Sequence, residues 1–143
     1  DVIYLRLPSA GTNSTARTAT ITIGSISDSM TVTTLAGSDT TPNSFSFTDV
    51  TGAAILSRFD DTVTITGINT GTTATLTTSD NCSFKVNNGS FSTSSKTVVN
   101  NDTITVRIFT LSDAFTLHQG TISVGGVSDT FRVTTGSSPG GGL

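Results

Sequence analysis

The feature that most constrains this chain is a stretch that it writes twice. Residues 1–34 read DVIYLRLPSAGTNSTARTATITIGSISDSMTVTT, and residues 102–135 read DTITVRIFTLSDAFTLHQGTISVGGVSDTFRVTT. The two superpose without a gap at an offset of 101 residues, and about a third of the 34 positions are identical. Asp1 meets Asp102, Ile3 meets Ile104 and Arg6 meets Arg107. Gly24 meets Gly125, Ser27-Asp28 meets Ser128-Asp129, and Val32-Thr33-Thr34 meets Val133-Thr134-Thr135. Solenoid units are shorter, at roughly 20–50 residues. A period near 100 suits a whole two-sheet β domain. The chain therefore reads as the back third of one domain followed by one complete domain.

Alternation gives the strands. Ile3, Leu5 and Leu7 share a face, as do Ala19, Ile21 and Ile23, and then Met30 and Val32. The second copy repeats this with Ile104, Val106 and Ile108, then Ile122 and Val124, then Phe131 and Val133. Between the copies, residues 36–43 (AGSDTTPN) form a joint, because Pro42 cannot donate to a ladder. The complete domain opens with Phe45 and Phe47 on one face, followed by a connection over residues 49–61. Residues 62–68 are expected as a clean strand, residues 73–78 as a weaker one, and Cys82, Phe84 and Val86 as one face of another. Asn87-Asn88-Gly89 and Gly125-Gly126 read as hairpin turns, since glycine supplies the positive φ that such turns need. Seven to nine strands and no helix are predicted.

Composition agrees. The chain of 143 residues holds 31 Thr and 20 Ser but only 12% charged residues, so its surface is coated mainly by hydroxyls. Threonine, valine and isoleucine suit the pleated, half-buried surface of a strand. The predicted fold class is all-β: an antiparallel Ig-like β-sandwich, one complete repeat preceded by the C-terminal third of another. Residues 1–37 are assigned to the preceding repeat, 38–136 to the complete sandwich and 137–143 to a Gly/Ser/Pro linker or tail, with the boundary at about Ser38. One cysteine excludes an intramolecular disulfide. Net charge is −3 and the seven Lys and Arg are scattered, so no nucleic-acid partner is expected. No apolar run approaches a membrane span, so no membrane insertion is expected.

The stretches FSFTDVTGA (45–53), VTITGIN (63–69), FKVNNGSF (84–91), TVVNNDTITVR (97–107) and GTISVGGVSDTFRVTT (120–135) resemble a class of bacterial Ig-like repeat. Such repeats stand in tandem in bacterial surface proteins and in virion proteins of tailed phages. The resemblance covers residues 41–135, with residues 1–34 as the tail of a preceding repeat. It implies an extracellular location, on a virion or a bacterial cell surface. It also implies a non-enzymatic role as spacer, decoration or assembly unit of a phage virion or tail, or of a bacterial surface fibre. The implied partners are other copies of the same protein or neighbouring assembly subunits. The alternative is an adhesin or carbohydrate-binding module that recognises a host ligand or cell-surface glycans.

No catalytic constellation is present. His118 is the lone histidine, and its counterpart in the first copy is Arg17, so it reads as a solvated polar residue. A catalytic base would need a nucleophile or carboxylate held beside it. Cys82 alternates with Phe84 and Val86 and reads as a packing residue. Asp39, Asp49, Asp60, Asp61, Asp80, Asp102, Asp113 and Asp129 fall nearly all in turns. They could converge on calcium, which takes several oxygen ligands. Aspartates in turns already have a task in capping backbone N–H groups. No cofactor is expected, and calcium is the one to test. The candidate ligand or partner contacts are Phe109, Phe115 and His118, in or beside the loop that corresponds to residues 8–15 of the first copy.

Overall fold

The computed structural model describes residues 1–78 and 81–137, and the chain divides into two compact units, Asp1–Ser38 and Asp39–Leu143. Asp80 and most of the 137–143 tail lie outside the described residues.

In the first unit, β1 (Ala16–Ile23) and β2 (Ile26–Thr33) form an antiparallel hairpin, in register from Ala16↔Thr33 to Ile23↔Ile26. Its two strands are joined side to side by hydroxyl pairs: Thr18–Thr31 at 2.8 Å, Thr20–Ser29 at 2.8 Å and Thr22–Ser27 at 2.7 Å. Such cross-strand pairs stabilise a sheet where no apolar layer covers it, which gives the Thr- and Ser-rich alternation a structural use. The strand expected over residues 2–7 is absent. Its alternation is sound, but a strand exists only where a neighbour takes its N–H and C=O groups, and among the described residues of this unit none does.

In the second unit, eight strands follow in order: β3 (Val50–Ala53), β4 (Arg58–Thr64), β5 (Thr72–Thr78), β6 (Cys82–Val86), β7 (Lys96–Val98), β8 (Thr103–Phe109), β9 (Leu117–Val124) and β10 (Val127–Thr135). They form a five-stranded sheet, β3-β10-β9-β5-β7, and a three-stranded sheet, β4-β8-β6. The described residues thus contain ten strands in all and no helix. The fold class is the all-β sandwich expected, with one difference: β3 runs parallel to β10. The two strands are far apart in sequence, so no hairpin imposes an antiparallel direction.

Alternate residues of both sheets form a single buried cluster. The three-stranded sheet contributes Phe84, Ile104, Val106 and Ile108, and the five-stranded sheet contributes Ile122, Val124, Phe131 and Val133. Phe47 packs on Phe131 with ring centroids 6.2 Å apart. Phe47 is not on a strand. Its N–H donates instead to Asp129 Oδ2 at 2.7 Å, and the N–H of Thr48 donates to Asp61 Oδ2 at 2.6 Å. Carboxylates thus take the place of a ladder over residues 47–48. The connection expected over residues 49–61 in fact holds β3 and the start of β4, because the partner of Val50 is Val133 and nothing local announces it.

Candidate contact surface

The loops at one end of the second unit are built by two buried threonines. Thr110 Oγ1 donates to the carbonyl of Ala54 at 2.8 Å and accepts the N–H of Ser57 at 2.9 Å. Thr135 Oγ1 donates to the carbonyl of Asp113 at 2.8 Å and accepts the N–H of Thr116 at 2.8 Å. The N–H of Leu56 donates to the carbonyl of Leu111 at 3.3 Å and so joins the β3–β4 and β8–β9 connections. Buried hydroxyls that satisfy several backbone groups hold a loop in one conformation.

What these loops display is apolar. Phe109, at the end of β8, is 50% exposed, and Phe115 is 77% exposed. Leu56, Leu111 and Leu117 are exposed on the same connections. Leu56 and Phe115 also hold left-handed backbone, with φ of 51° and 53°. That region disfavours large side chains. Beside them the N–H of Gly136 donates to the carbonyl of Ala53 at 2.9 Å. An open cleft there is lined by Gly52, Ala53, Ala54, Ile55, Gly136 and Ser137.

Phe109 and Phe115 therefore stand on the surface, at either side of one connection. His118 does not join them. It is 4% exposed, paired across the sheet with Val133, and its Nε2 has no hydrogen-bond partner. The reading of His118 as a solvated residue is corrected. Alternation along β9 turns positions 118, 120, 122 and 124 into the sandwich, whereas its counterpart Arg17 lies on an exposed hairpin.

A second cluster lies on the outer face of the three-stranded sheet, where the register sets Asp60 opposite Arg107. Arg107 Nε and Nη2 each donate to a carboxylate oxygen of Asp60 at 2.8 Å. The Arg107 guanidinium carbon lies 3.7 Å from the ring centre of Phe91, with Lys85 Nζ 5.3 Å from that ring. The Arg107 hydrogen bonds hold the Asp60 carboxyl below its ordinary value, against a smaller opposing effect of burial, and Asp60 in turn raises Arg107. Sequence reading missed this cluster. Asp60, Lys85 and Arg107 stand on three separate strands and Phe91 on none, and only the β4–β8 and β6–β8 pairings bring them together.

Five of the other aspartates of the second unit accept backbone N–H groups. Asp129 and Asp61 accept the bonds at residues 47–48 described above. Asp49 Oδ1 accepts the N–H of Arg132 at 2.9 Å, Asp39 Oδ1 that of Thr41 at 3.0 Å and Asp102 Oδ2 that of Val99 at 2.8 Å. Among the described residues no group of three His, Cys, Asp or Glu side chains could hold a metal ion. Cys82 is buried, and desolvation pushes its thiol up to about 11 although a hydrogen bond with Thr78 opposes the shift. At neutral pH it is a thiol packed in the core, and a nucleophile needs the thiolate.

One solved structure shares this fold. The chain is similar to the crystal structure of domains 4 and 5 of the S-layer protein SbsC, with a TM-score of 0.51 and 15% identity. The match covers 85% of this chain and 58% of that chain. At that identity the likeness concerns the fold. No protein-family model matches the chain, and the comparison with curated proteins gave no match.

Proposed function

We propose that this chain is a non-enzymatic structural module of a surface-exposed assembly, built from tandem Ig-like repeats, with residues 1–37 as the closing part of one repeat and residues 38–136 as the next. The observation that carries this reading is the recurrence of one hairpin, in the same register and with the same closing bonds, in both units. Ala16↔Thr33 recurs as Leu117↔Thr134, and Ile23↔Ile26 recurs as Val124↔Val127. The N–H of Ser14 donates to the carbonyl of Leu35, as that of Phe115 does to Gly136. Thr34 Oγ1 accepts the N–H of Thr15 at 3.0 Å, as Thr135 accepts that of Thr116. Repeats of one unit in series make spacers and lattices. The S-layer likeness supports a place on a cell surface, where S-layer domains work, and the hydroxyl-coated strands suit contact with solvent. The test is to label intact source cells or particles with antibody raised against the 143-residue chain. Labelling of intact surfaces is expected. Signal only after lysis, with none in assembled particles, would sink the reading.

The adhesive alternative draws on a specific observation. The exposed Phe109, Leu111, Phe115 and Leu117 correspond to Pro8, Ala10, Ser14 and Ala16 in the first copy, so this apolar end belongs to the second repeat alone. Rigid, exposed aromatics at a loop end make a contact patch. Phe109→Ser with Phe115→Ser distinguishes the two roles. Lost retention on a glycan array with folding intact favours adhesion. Lost self-association of the chain instead favours contact between copies.

A further inference from the structure

The first hairpin has neither of the strands that flank its counterpart. Along β9 lies β5, with Ala74↔Val124, Leu76↔Ile122 and Thr78↔Gly120. Along β10 lies β3, with Val50↔Val133 and Thr51↔Thr134. Moved back by 101 residues, the contacted positions are Ile23, Ile21 and Ala19 on β1, and Val32 and Thr33 on β2. Yet among the described residues β1 and β2 make a sheet of two strands with both outer edges open. Ile23 is 60% and Ile26 77% exposed. A two-stranded hairpin alone is marginal in water, and open edges template further strands.

One position says which segment fits. Where the first copy has Ala19, the second has Gly120. A Cβ at Gly120 would collide with Cys82 Sγ and lie 3.2 Å from Leu76 Cδ1. The same Cβ would stand 3.5 Å from Cys82 Cβ, an ordinary contact. Ala19 would therefore crowd the cysteine sulfur, which would have to move aside, but would not crowd an alanine in its place. The opening strands of this domain, in this chain or in a second copy, are shaped for Gly120 and fit β1–β2 less well.

We infer that β1–β2 closes a second sandwich whose opening part is a segment of the 41–101 type, preceding Asp1 in the same polypeptide and carrying alanine or glycine where Cys82 stands. That segment would pair antiparallel along β1 at Ala19, Ile21 and Ile23, and parallel along β2 at Val32. The inference rests on the tandem-repeat reading above but not on where the assembly resides.

The test extends the 143-residue chain at its N-terminus with its own residues 39–101, so that Asn101 joins Asp1 as it normally joins Asp102. Three versions are compared: Cys82 kept in the added segment, Cys82→Ala in the added segment, and Cys82 kept with Ala19→Gly. Amide hydrogen exchange is read at residues 17–33, with residues 103–135 as the control for an intact second domain. The unextended chain should exchange rapidly over residues 17–33. Cys82→Ala and Ala19→Gly should each slow that exchange by about 100-fold or more, as expected when a frayed element joins a cooperative core, while the version with Cys82 kept should remain fast. Equal protection in all three versions overturns the size rule, and protection in none overturns the completion itself. Protection in the unextended chain together with dimerisation overturns it in favour of a second copy. Antibody labelling of surfaces is indifferent to all of these outcomes, so the two readings fail separately.

Discussion

The two hairpins of this protein have one register, one set of turn bonds and two different environments. In β1–β2 the strand residues are mostly exposed, whereas alternate residues are buried along β9 and over the second half of β10, at Phe131, Val133 and Thr135. Two of the three cross-strand hydroxyl pairs recur, with Thr20–Ser29 at 2.8 Å matched by Thr121–Thr130 at 2.8 Å, and Thr22–Ser27 at 2.7 Å by Ser123–Ser128 at 2.7 Å. Hairpin geometry is thus a local property, set by turn and alternation. Burial is a tertiary one, supplied by β3, β5 and the facing sheet. The same division holds one step upstream. Residues 103–109 form β8 between β4 and β6, whereas residues 2–7, with the same alternation, form no strand. A glycine makes the point at a turn: Gly24 and Gly125 share positive φ, at 65° and 54°, but only at Gly125 would a side chain strike a neighbour, the carbonyl oxygen of Thr40.

The largest expected effect separates the hairpins most sharply. Phe131→Ala empties a site in the centre of the core and should cost about 3–5 kcal/mol in urea unfolding of the second unit. Met30→Ala, at the corresponding place in β2, should move that transition by less than about 0.5 kcal/mol, because Met30 is half-buried and lies outside the second unit. Equal effects would break the comparison. Next in size is Gly120→Ala, which copies the first hairpin into the second. Overpacking against Cys82 should cost about 1–3 kcal/mol. Adding Cys82→Ala should recover part of that loss, and strict additivity in the double-mutant cycle would contradict the contact.

Thr135→Val should cost about 1–2 kcal/mol, because it leaves the N–H of Thr116 and the carbonyl of Asp113 without their partner at a partly buried site. Thr34→Val removes the matching bonds from the first hairpin and should speed amide exchange only within residues 12–35. The smallest effect concerns the outer face. Asp60 is held below its ordinary value of 3.8 in the folded protein, chiefly by hydrogen bonds from Arg107. A depressed carboxyl contributes stability above its unfolded value and loses it as pH falls through the lower folded value. The contribution of Asp60 should therefore be constant near neutrality, begin to fall near pH 3.8 and vanish only below the depressed folded value. The pair is partly exposed, so Asp60→Asn should cost less than about 1 kcal/mol at neutral pH and nothing in strong acid. Arg6, which corresponds to Arg107, has no such ion pair among the described residues, so Arg6→Gln should leave the profile unchanged.

Much of the fold was legible because its signals are local. Period-two alternation marked β1, β2, β6, β8, β9 and β10, and glycine pairs and Asn-Gly marked the turns. The core residues Ile104, Val106, Ile108, Ile122, Val124, Phe131 and Val133 were legible from the same alternation. The candidate surface was half legible. Phe109 and Phe115 are apolar in a loop, which is anomalous in sequence alone, and both are exposed. His118 was misread because its counterpart Arg17 is polar, while the face it shares with Ile122 and Val124 is buried.

By itself, then, the amino-acid sequence determined the all-β class, the hairpins and their register, and the existence of a repeat, because each depends on side-chain period and turn chemistry within a few residues. Tertiary structure alone decided which copy of the hairpin is buried, that β3 runs parallel to β10, and that Asp60 and Arg107 meet. Those outcomes depend on partners some 47 to 83 residues apart, and a residue carries no local mark of the neighbour that such a distance will bring.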